Sequence, residues 1–501
     1  MASFKTKFAP ANVLAPCFAI LTLALLTTDA ALAQAKPSPP SRDVQQHIDK
    51  VASCLTGPIV EKDDPHACRS LKDRMAEMHI PGVSVAVIHN GAIEWAQGFG
   101  VAQVGGKPVD TGTLFQAGSI SKPVAAMAAL RLVQQGKLSL DADVNQALTS
   151  WKIPASTAAP GAVVTLRELL THTAGFTVHG FPGYASGEPV PTVVQVLNGE
   201  KPANTDPIRL EHAPDTQWQY SGGGYTVMQQ LVLDVAKEPF PQLLHDSVLA
   251  PIGMKHSTYQ QPLPEELLPN VATPYNGDGT PVEGGFHTYP EMAAAGLWTT
   301  PSDLALYVIE NQRSLLGKAN HVLSADMTKQ MMTAGKGGWG LGLSIGGAAS
   351  NPFFTHGGVN AGFESLFVGY ENNGEGAVVM TNAQGGSQLA SEIMASIAAE
   401  YHWPDFHPIV RTTVKVDPAV LARYVGSYEL APTFSIAVTL ENGQLMAQAT
   451  NQPKFAMFPE SETEFFLKVV DAQLEFVKDD KGQVTAMVLH QNGHDVKGAK
   501  K

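Results

Sequence analysis

Phe115-Gln-Ala-Gly-Ser119-Ile-Ser121-Lys122 marks the place where an extended segment gives way to a helix. The chain beyond it is rich in Ala and Leu as far as Gly136, a residue suited to ending a helix. Pro123 falls within the first turn, where a helix tolerates it. The spacing predicts a helix from about Ser119, with Ser119 and Lys122 on one face about one turn apart. A weak nucleophile thereby gains a neighbouring cation, and at a helix N-terminus the serine N–H is free to meet a developing oxyanion. Taken alone, the same residues equally describe a helix cap followed by a solvated lysine.

Upstream of this stretch, Val83, Val85 and Val87 alternate with smaller residues, Asn90-Gly91 forms a two-residue hairpin turn, and Ile93 to Gly100 returns as a second strand. Asp43 to Leu55 and Arg69 to Met78 read as helices. Downstream, Leu138 to about Thr300 is a series of helical segments separated by long Gly/Pro loops, notably Gly175 to Pro214, and loops of that length usually carry function. Strand patterns resume at Trp339 to Ile345, Phe353 to His356, Phe363 to Tyr370 and Ala377 to Asn382. A helix at Leu389 to Tyr401 then places Leu389, Ile393, Ile397 and Tyr401 on one face. This order predicts an α+β body whose sheet is assembled from both ends of the sequence. After Trp403-Pro404, short alternating runs such as Phe434 to Leu440 and Leu474 to Val477, punctuated by Asn442-Gly443 and Lys481-Gly482, predict a small C-terminal β-barrel or meander.

Two further stretches carry chemistry. Trp218-Gln-Tyr220-Ser-Gly222-Gly-Gly-Tyr225 sets a tyrosine before a glycine-rich turn. A phenol beside an ammonium can lose its proton below its usual pKa of about 10 and exchange it with Ser119. Phe354-Thr-His356-Gly357-Gly358-Val359 follows a strand pattern, and its glycines let a substrate lie along a strand edge while the Val359 N–H serves as a second oxyanion donor. Ser-x-x-Lys, then Tyr-Ser-Gly, then His-Gly-Gly, in this order, resemble the serine β-lactamase-related hydrolases: the class C β-lactamase, D,D-peptidase, esterase and D-aminopeptidase group. Ile80-Pro-Gly-Val-Ser-Val-Ala-Val, Leu169-Leu-Thr-His172-Thr-Ala-Gly175, Pro251-Ile-Gly-Met254 and Ala295-Gly-Leu-Trp-Thr-Thr-Pro-Ser-Asp303 extend that resemblance from about Ile80 to Asn382.

The resemblance implies a β-lactamase/transpeptidase-like fold, an antiparallel sheet flanked by helices plus an all-helical region. It also implies Ser119 as the acylated nucleophile, Lys122 and Tyr220 as its activating pair, and the Ser119 and Val359 N–H groups as the oxyanion hole. His356, Gly357, Gly358 and Gly222 are then expected to line the substrate, and His172 to be structural. Two departures bear on substrate choice. Many relatives carry Tyr-x-Asn, whose asparagine holds a substrate amide, where this chain has Gly222. Lactamases and transpeptidases usually carry Lys-Thr-Gly, whose cation meets a substrate carboxylate, where this chain has His356, mostly neutral at pH 7. Both favour an esterase- or peptidase-like enzyme over an efficient β-lactamase. The alternatives are a β-lactamase or D,D-carboxypeptidase, and, in another class, a non-catalytic module that holds cell-wall peptide. Gly342-Leu-Ser344-Ile-Gly346 matches the nucleophile elbow of α/β-hydrolases but lacks the helix that must follow it. Phe181, Tyr184 and Trp218, on a loop from His179 to Trp218 expected to wall the cleft, are candidates for an acyl pocket.

Composition narrows the partners. The chain has 501 residues, 44 % of them apolar and 16 % charged, which supports a sizeable core and excludes wholesale disorder. A net charge of -13 repels phosphate backbones, so no nucleic-acid partner is expected. No cofactor or metal motif is present, and the expected partner is a small-molecule or peptidoglycan-derived substrate. Lys5 and Lys7 before an apolar stretch, Val13 to Leu26, with Ala31-Leu32-Ala33 behind it, read as a cleavable signal peptide, giving an exported, periplasmic or extracellular protein with no stable membrane span after cleavage. The expected organisation is a signal peptide over 1–33, a linker over 34–42, the hydrolase body over 43–410 and the barrel or meander over 411–501. In an oxidising compartment Cys54 and Cys68 are expected to pair, closing a loop worth up to about 3 kcal/mol. A metal site from Cys54, His66 and Cys68 would need a fourth ligand that the local sequence does not supply.

Overall fold

A computed structural model describes residues 40–491 and 493–501; the expected signal peptide, and the linker as far as residue 39, lie outside the described residues. The chain enters through helices α1 (Arg42–Ser53) and α2 (Leu71–Glu77), which the Cys54–Cys68 disulfide bridges, removing the metal alternative. Strands β1 (Gly82–His89) and β2 (Ala92–Gly100) follow, joined at Asn90-Gly91, both with positive φ as a tight hairpin turn requires. A 3-10 turn over Gly118–Ile120 leads into α3 (Ser121–Gln134), so the helix expected from about Ser119 begins with a tighter first turn. The middle of the chain supplies α4 (Gly222–Ala236) and α5 (Pro301–Leu315). Strands β3 (Ser344–Ala348), β4 (Asn351–Asn360), β5 (Phe363–Tyr370) and β6 (Gly376–Thr381) and helix α6 (Gly386–Glu400) complete the body.

The sheet is antiparallel in the order β2-β1-β6-β5-β4-β3, so both ends of the sequence build it. Alternation along β1 decides what each face meets. Val83, Val85 and Val87 pack with Leu389, Ile393 and Ile397 of α6, while Ala86 and Ile88 pack with Leu304 and Val308 of α5. The strand is therefore buried on both faces, in a mixed body with helices on either side of an antiparallel sheet, the arrangement that the resemblance implies.

Two strand expectations need correction. Trp339 to Ile345 is not a strand throughout: Gly342 has φ +104°, and β3 begins only at Ser344. The strand expected over Phe353 to His356 is longer, running from Asn351 to Asn360, and β3 and β4 form a hairpin about Ala349-Ser350. No helix follows Ser344, which removes the nucleophile-elbow alternative.

Helix α7 (Pro418–Tyr424) precedes eight strands between Gly426 and Lys500 that close into a barrel. Its interior is filled: Tyr424 stacks on Phe476, ring centroids 4.1 Å apart, beside Phe465 and Met487. A short parallel pair, Ile59–Glu61 with Ile409–Arg411, ties the approach to the barrel back to the disulfide loop. No helix among the described residues is long and apolar enough to cross a membrane.

Candidate active site

Ser119 sits at the tight turn before α3 and keeps part of its surface exposed. Lys122, one turn on, is 2 % exposed; its Nζ donates to Ser119 Oγ at 2.9 Å and to the Ala294 carbonyl oxygen at 2.9 Å. Burial pulls the Lys122 pKa down to about 7, so a large share of the amine is neutral at neutral pH. The turn is braced by Ser121, whose Oγ donates to Gly118 O and accepts the Leu297 N–H.

Tyr220 closes the group from the other side. Lys122 Nζ lies 4.9 Å from the centroid of its ring. Here the structure departs from expectation: desolvation pushes the phenol pKa well above its usual value, with only partial opposition from the Ser119 hydroxyl. The Lys122 amine expected to draw off the phenol proton is itself buried, with a pKa near 7, and does not offset the cost of burying a phenolate. At neutral pH the phenol keeps its proton and Lys122 is the group able to accept one.

The glycines after Tyr220 also behave differently from the turn expected of them. Gly222, Gly223 and Gly224 form the first turn of α4, where Ser221 Oγ accepts the Gly224 N–H at 2.9 Å as an N-cap. Two of them have close neighbours: a Cβ on Gly223 would lie 2.5 Å from Thr177 O and one on Gly222 2.9 Å from Phe181 Cε2. His172 holds this segment, as its backbone oxygen accepts the Gln219 N–H at 2.8 Å and its Nδ1 accepts the Ser221 N–H at 3.1 Å, bracketing Tyr220. Its ring lies 4.2 Å from that of Tyr220, and Trp218 and Trp339 extend the same aromatic cluster.

Strand β4 brings the third motif alongside. His356 is buried, its Nδ1–H donates to Gly357 O, and burial aided by Lys122 lowers its pKa to about 3, so the ring is neutral. Gly358 presses on the serine turn so tightly that a Cβ there would lie 1.9 Å from Ala117 O. A Cβ on Gly118, which has φ +52°, would lie 2.5 Å from Val359 N. Two glycines thus let the Val359 amide approach the Ser119 turn within backbone contact. Asn360, not singled out from sequence, ties strand to turn through Nδ2 to Gln116 Oε1 and Ala295 O, both at 3.0 Å.

Of the pocket candidates, Tyr184 is not a wall. It is fully buried, and its hydroxyl accepts the Asn204 N–H. Trp218 packs on Trp339, and Phe181 lies against Gly222. No group of three or more His, Cys, Asp or Glu side chains comes together to hold a metal among the described residues.

Fold and Ser-x-x-Lys geometry together are those of a serine β-lactamase/transpeptidase-related hydrolase. The chain belongs to the Beta-lactamase family, which matches it over residues 69–399, and residues 410–500 match a domain of unknown function (DUF3471). It is similar to Penicillin-binding protein 4* of Bacillus subtilis, 23 % identical over 454 residues that cover 85 % of this chain and 96 % of that one. Among solved structures it resembles an octameric penicillin-binding protein homologue from Pyrococcus abyssi, with TM-score 0.58 and 21 % identity over 85 % of this chain and 98 % of that one. It also resembles D-alanine carboxypeptidase AmpC from Burkholderia cenocepacia, with TM-score 0.53 and 20 % identity over 71 % of this chain and 99 % of that one.

Proposed function

We propose that the protein is an exported hydrolase that forms an acyl-enzyme on Ser119 and passes the acyl group to water, acting on an ester or uncharged amide in preference to a β-lactam. The observation that carries this reading is the 2.9 Å contact between Ser119 Oγ and a buried Lys122 amine with a pKa near 7. In acylation Ser119 Oγ attacks the substrate carbonyl carbon while its proton passes to neutral Lys122. The oxyanion is met by the Ser119 and Val359 N–H groups. The protonated phenol of Tyr220 gives its proton to the leaving group and regains one from Lys122. Water then attacks the acyl carbon, and the same groups act in reverse. His356, Gly357, Gly358 and Gly222 line the substrate without offering it a cation, which supports uncharged substrates. The signal peptide over 1–33, linker over 34–42, body over 43–410 and barrel domain over 411–501 belong to the same proposal, as does export to the periplasm or beyond.

The test treats the protein and Ser119→Ala with a fluorophosphonate and with a labelled penicillin, locating adducts by mass spectrometry. A Ser119 adduct with the fluorophosphonate, lost in Ser119→Ala, is expected; absence of any adduct at Ser119 overturns the reading in favour of a binding module. Turnover of p-nitrophenyl esters, D-amino acid anilides and nitrocefin then ranks the substrate classes, with esters expected first.

A further inference from the structure

Position 222 has no side chain of its own, yet the space beside it is filled. A Cβ on Gly222 would lie 2.9 Å from Phe181 Cε2, 3.4 Å from Phe181 Cδ2 and 3.2 Å from the His179 carbonyl oxygen. An aromatic edge therefore stands where relatives with Tyr-x-Asn begin their amide arm.

The loop that delivers Phe181 is fixed rather than draped. Ser221 Oγ donates to Thr177 O at 3.2 Å, the Gly223 N–H donates to Val178 O at 2.8 Å, and His179 Nδ1–H donates to Tyr220 O. Between these bonds Val178 has φ +64°. A β-branched residue adopts that left-handed conformation only where its surroundings hold it there, and such strain gathers at functional sites. Three hydrogen bonds thus lock the loop onto Tyr220, Ser221 and Gly223, and Phe181 follows two residues after His179.

Phe181 is packed against the main core on one side and partly open on the other. Across the site Val359 is 60 % exposed, Gly357 and Gly358 carry no side chain, and the His356 ring is neutral and buried. Phe181 and Val359 are the apolar side chains these segments bring to the site, while the polar ring of His179 is held by Tyr220 O.

We propose that Phe181 is a specificity-determining residue, an apolar wall that takes an unbranched aliphatic acyl chain and rejects the acylamino groups an amide arm would hold. The proposal rests on the acyl-enzyme reading. A methylene removed from water on a half-open wall raises kcat/KM about two- to fourfold, so acetate, butyrate and hexanoate esters report the wall directly.

The experiment measures kcat/KM of the full chain on p-nitrophenyl acetate, butyrate and hexanoate for the wild type, Phe181→Ala, Phe181→Leu and Phe181→Gln, with thermal melting as the check of folding. In the wild type the hexanoate-to-acetate ratio is expected to exceed about tenfold; in Phe181→Ala it is expected to fall to within about threefold of unity. An unchanged ratio in a folded Phe181→Ala overturns the proposal. Should that variant fail to fold, Phe181→Gln must lower the ratio and Phe181→Leu must not, and any other result overturns it. A wild type that forms no fluorophosphonate adduct at Ser119 would instead sink the acyl-enzyme reading, so the two failures are distinct.

Discussion

Lys122 shows why chemistry at one residue depends on burial. An exposed lysine three residues after a serine would be a spectator cation, but at 2 % exposure the charged form is penalised and the pKa falls to about 7. Two consequences have opposite readouts. For catalysis, only neutral Lys122 can take the Ser119 proton, so the acylation rate should rise with pH through about 7. Lys122→Met should lose that rise and about 10²- to 10⁴-fold in rate, measured by stopped-flow fluorophosphonate labelling from pH 5.5 to 9. For stability, the amine is protonated in both folded and unfolded chains below about pH 7, where the burial penalty is felt in full. The penalty fades as pH climbs from about 7 towards the ordinary value of 10.5, because there the unfolded chain binds the extra proton. The wild type should therefore gain stability across that window relative to Lys122→Met, and parallel urea titrations at pH 6.5 and 9.5 that show no difference would contradict the assignment. Ser119 and Lys122 were legible in the sequence because a one-turn spacing puts them together whatever surrounds them. The pKa directions were not, since the Ala294 carbonyl that caps the amine arrives from 172 residues away.

At the scale of elements, the sequence marks glycines well but not the reason for them. Asn90-Gly91 was readable as a turn because a two-residue hairpin loop is local. Gly223 reads as freedom to bend and Gly358 as room for a substrate along a strand edge, whereas the structure uses both for close approach of backbone, which only the partner turn or loop reveals. The misplaced start of β3 has the same origin: Trp339 to Ile345 alternates like a strand, but a Cβ on Gly342 would meet Ala126 Cβ at 2.9 Å, and the chain turns there against α3. Adjacent glycines in β4 give a sharp comparison. Gly358→Ala must push β4 away from the serine turn, because its new Cβ would sit 1.9 Å from Ala117 O; Gly357→Ala would meet Ser365 O at an ordinary 3.7 Å. Gly358→Ala should therefore cost about 1–3 kcal/mol and most of the Ser119 labelling rate, since it moves the Val359 amide. Gly357→Ala should melt within about 0.5 kcal/mol of the wild type. Equal behaviour of the pair in melting and labelling would show that contact between β4 and the serine turn does not shape the site.

Over the whole molecule, the barrel and the body have separate apolar cores, and what joins them is polar. Lys468 of the barrel reaches Glu61 at 3.1 Å and Asp64 at 3.4 Å on the loop closed by the Cys54–Cys68 disulfide. Arg411, at the boundary and on the strand paired with Ile59–Glu61, meets Glu460 at 2.8 Å and Asp471 at 3.3 Å of the barrel, and Thr413 Oγ1 donates to Glu61. Partly exposed ion pairs of this kind are screened by solvent and contribute far less than a shared core would. A chain ending at Arg411 keeps the strand that pairs with Ile59–Glu61 and every residue assigned to the site, so it should fold and label at Ser119. The Glu61 carboxyl is held below its ordinary value by Thr413 and then Lys468, and that of Asp64 by the His66 backbone N–H and then Lys468. The docking these groups contribute is thus present above the unfolded carboxylate range, near pH 4.5, and lost as pH falls through the lowered values. Lys468→Glu should loosen the barrel already at pH 7, seen as faster proteolysis between residues 411 and 418 with labelling of Ser119 retained. If instead the truncated chain fails to fold, or proteolysis of Lys468→Glu matches the wild type at pH 7, the two bodies are joined by more than this polar seam.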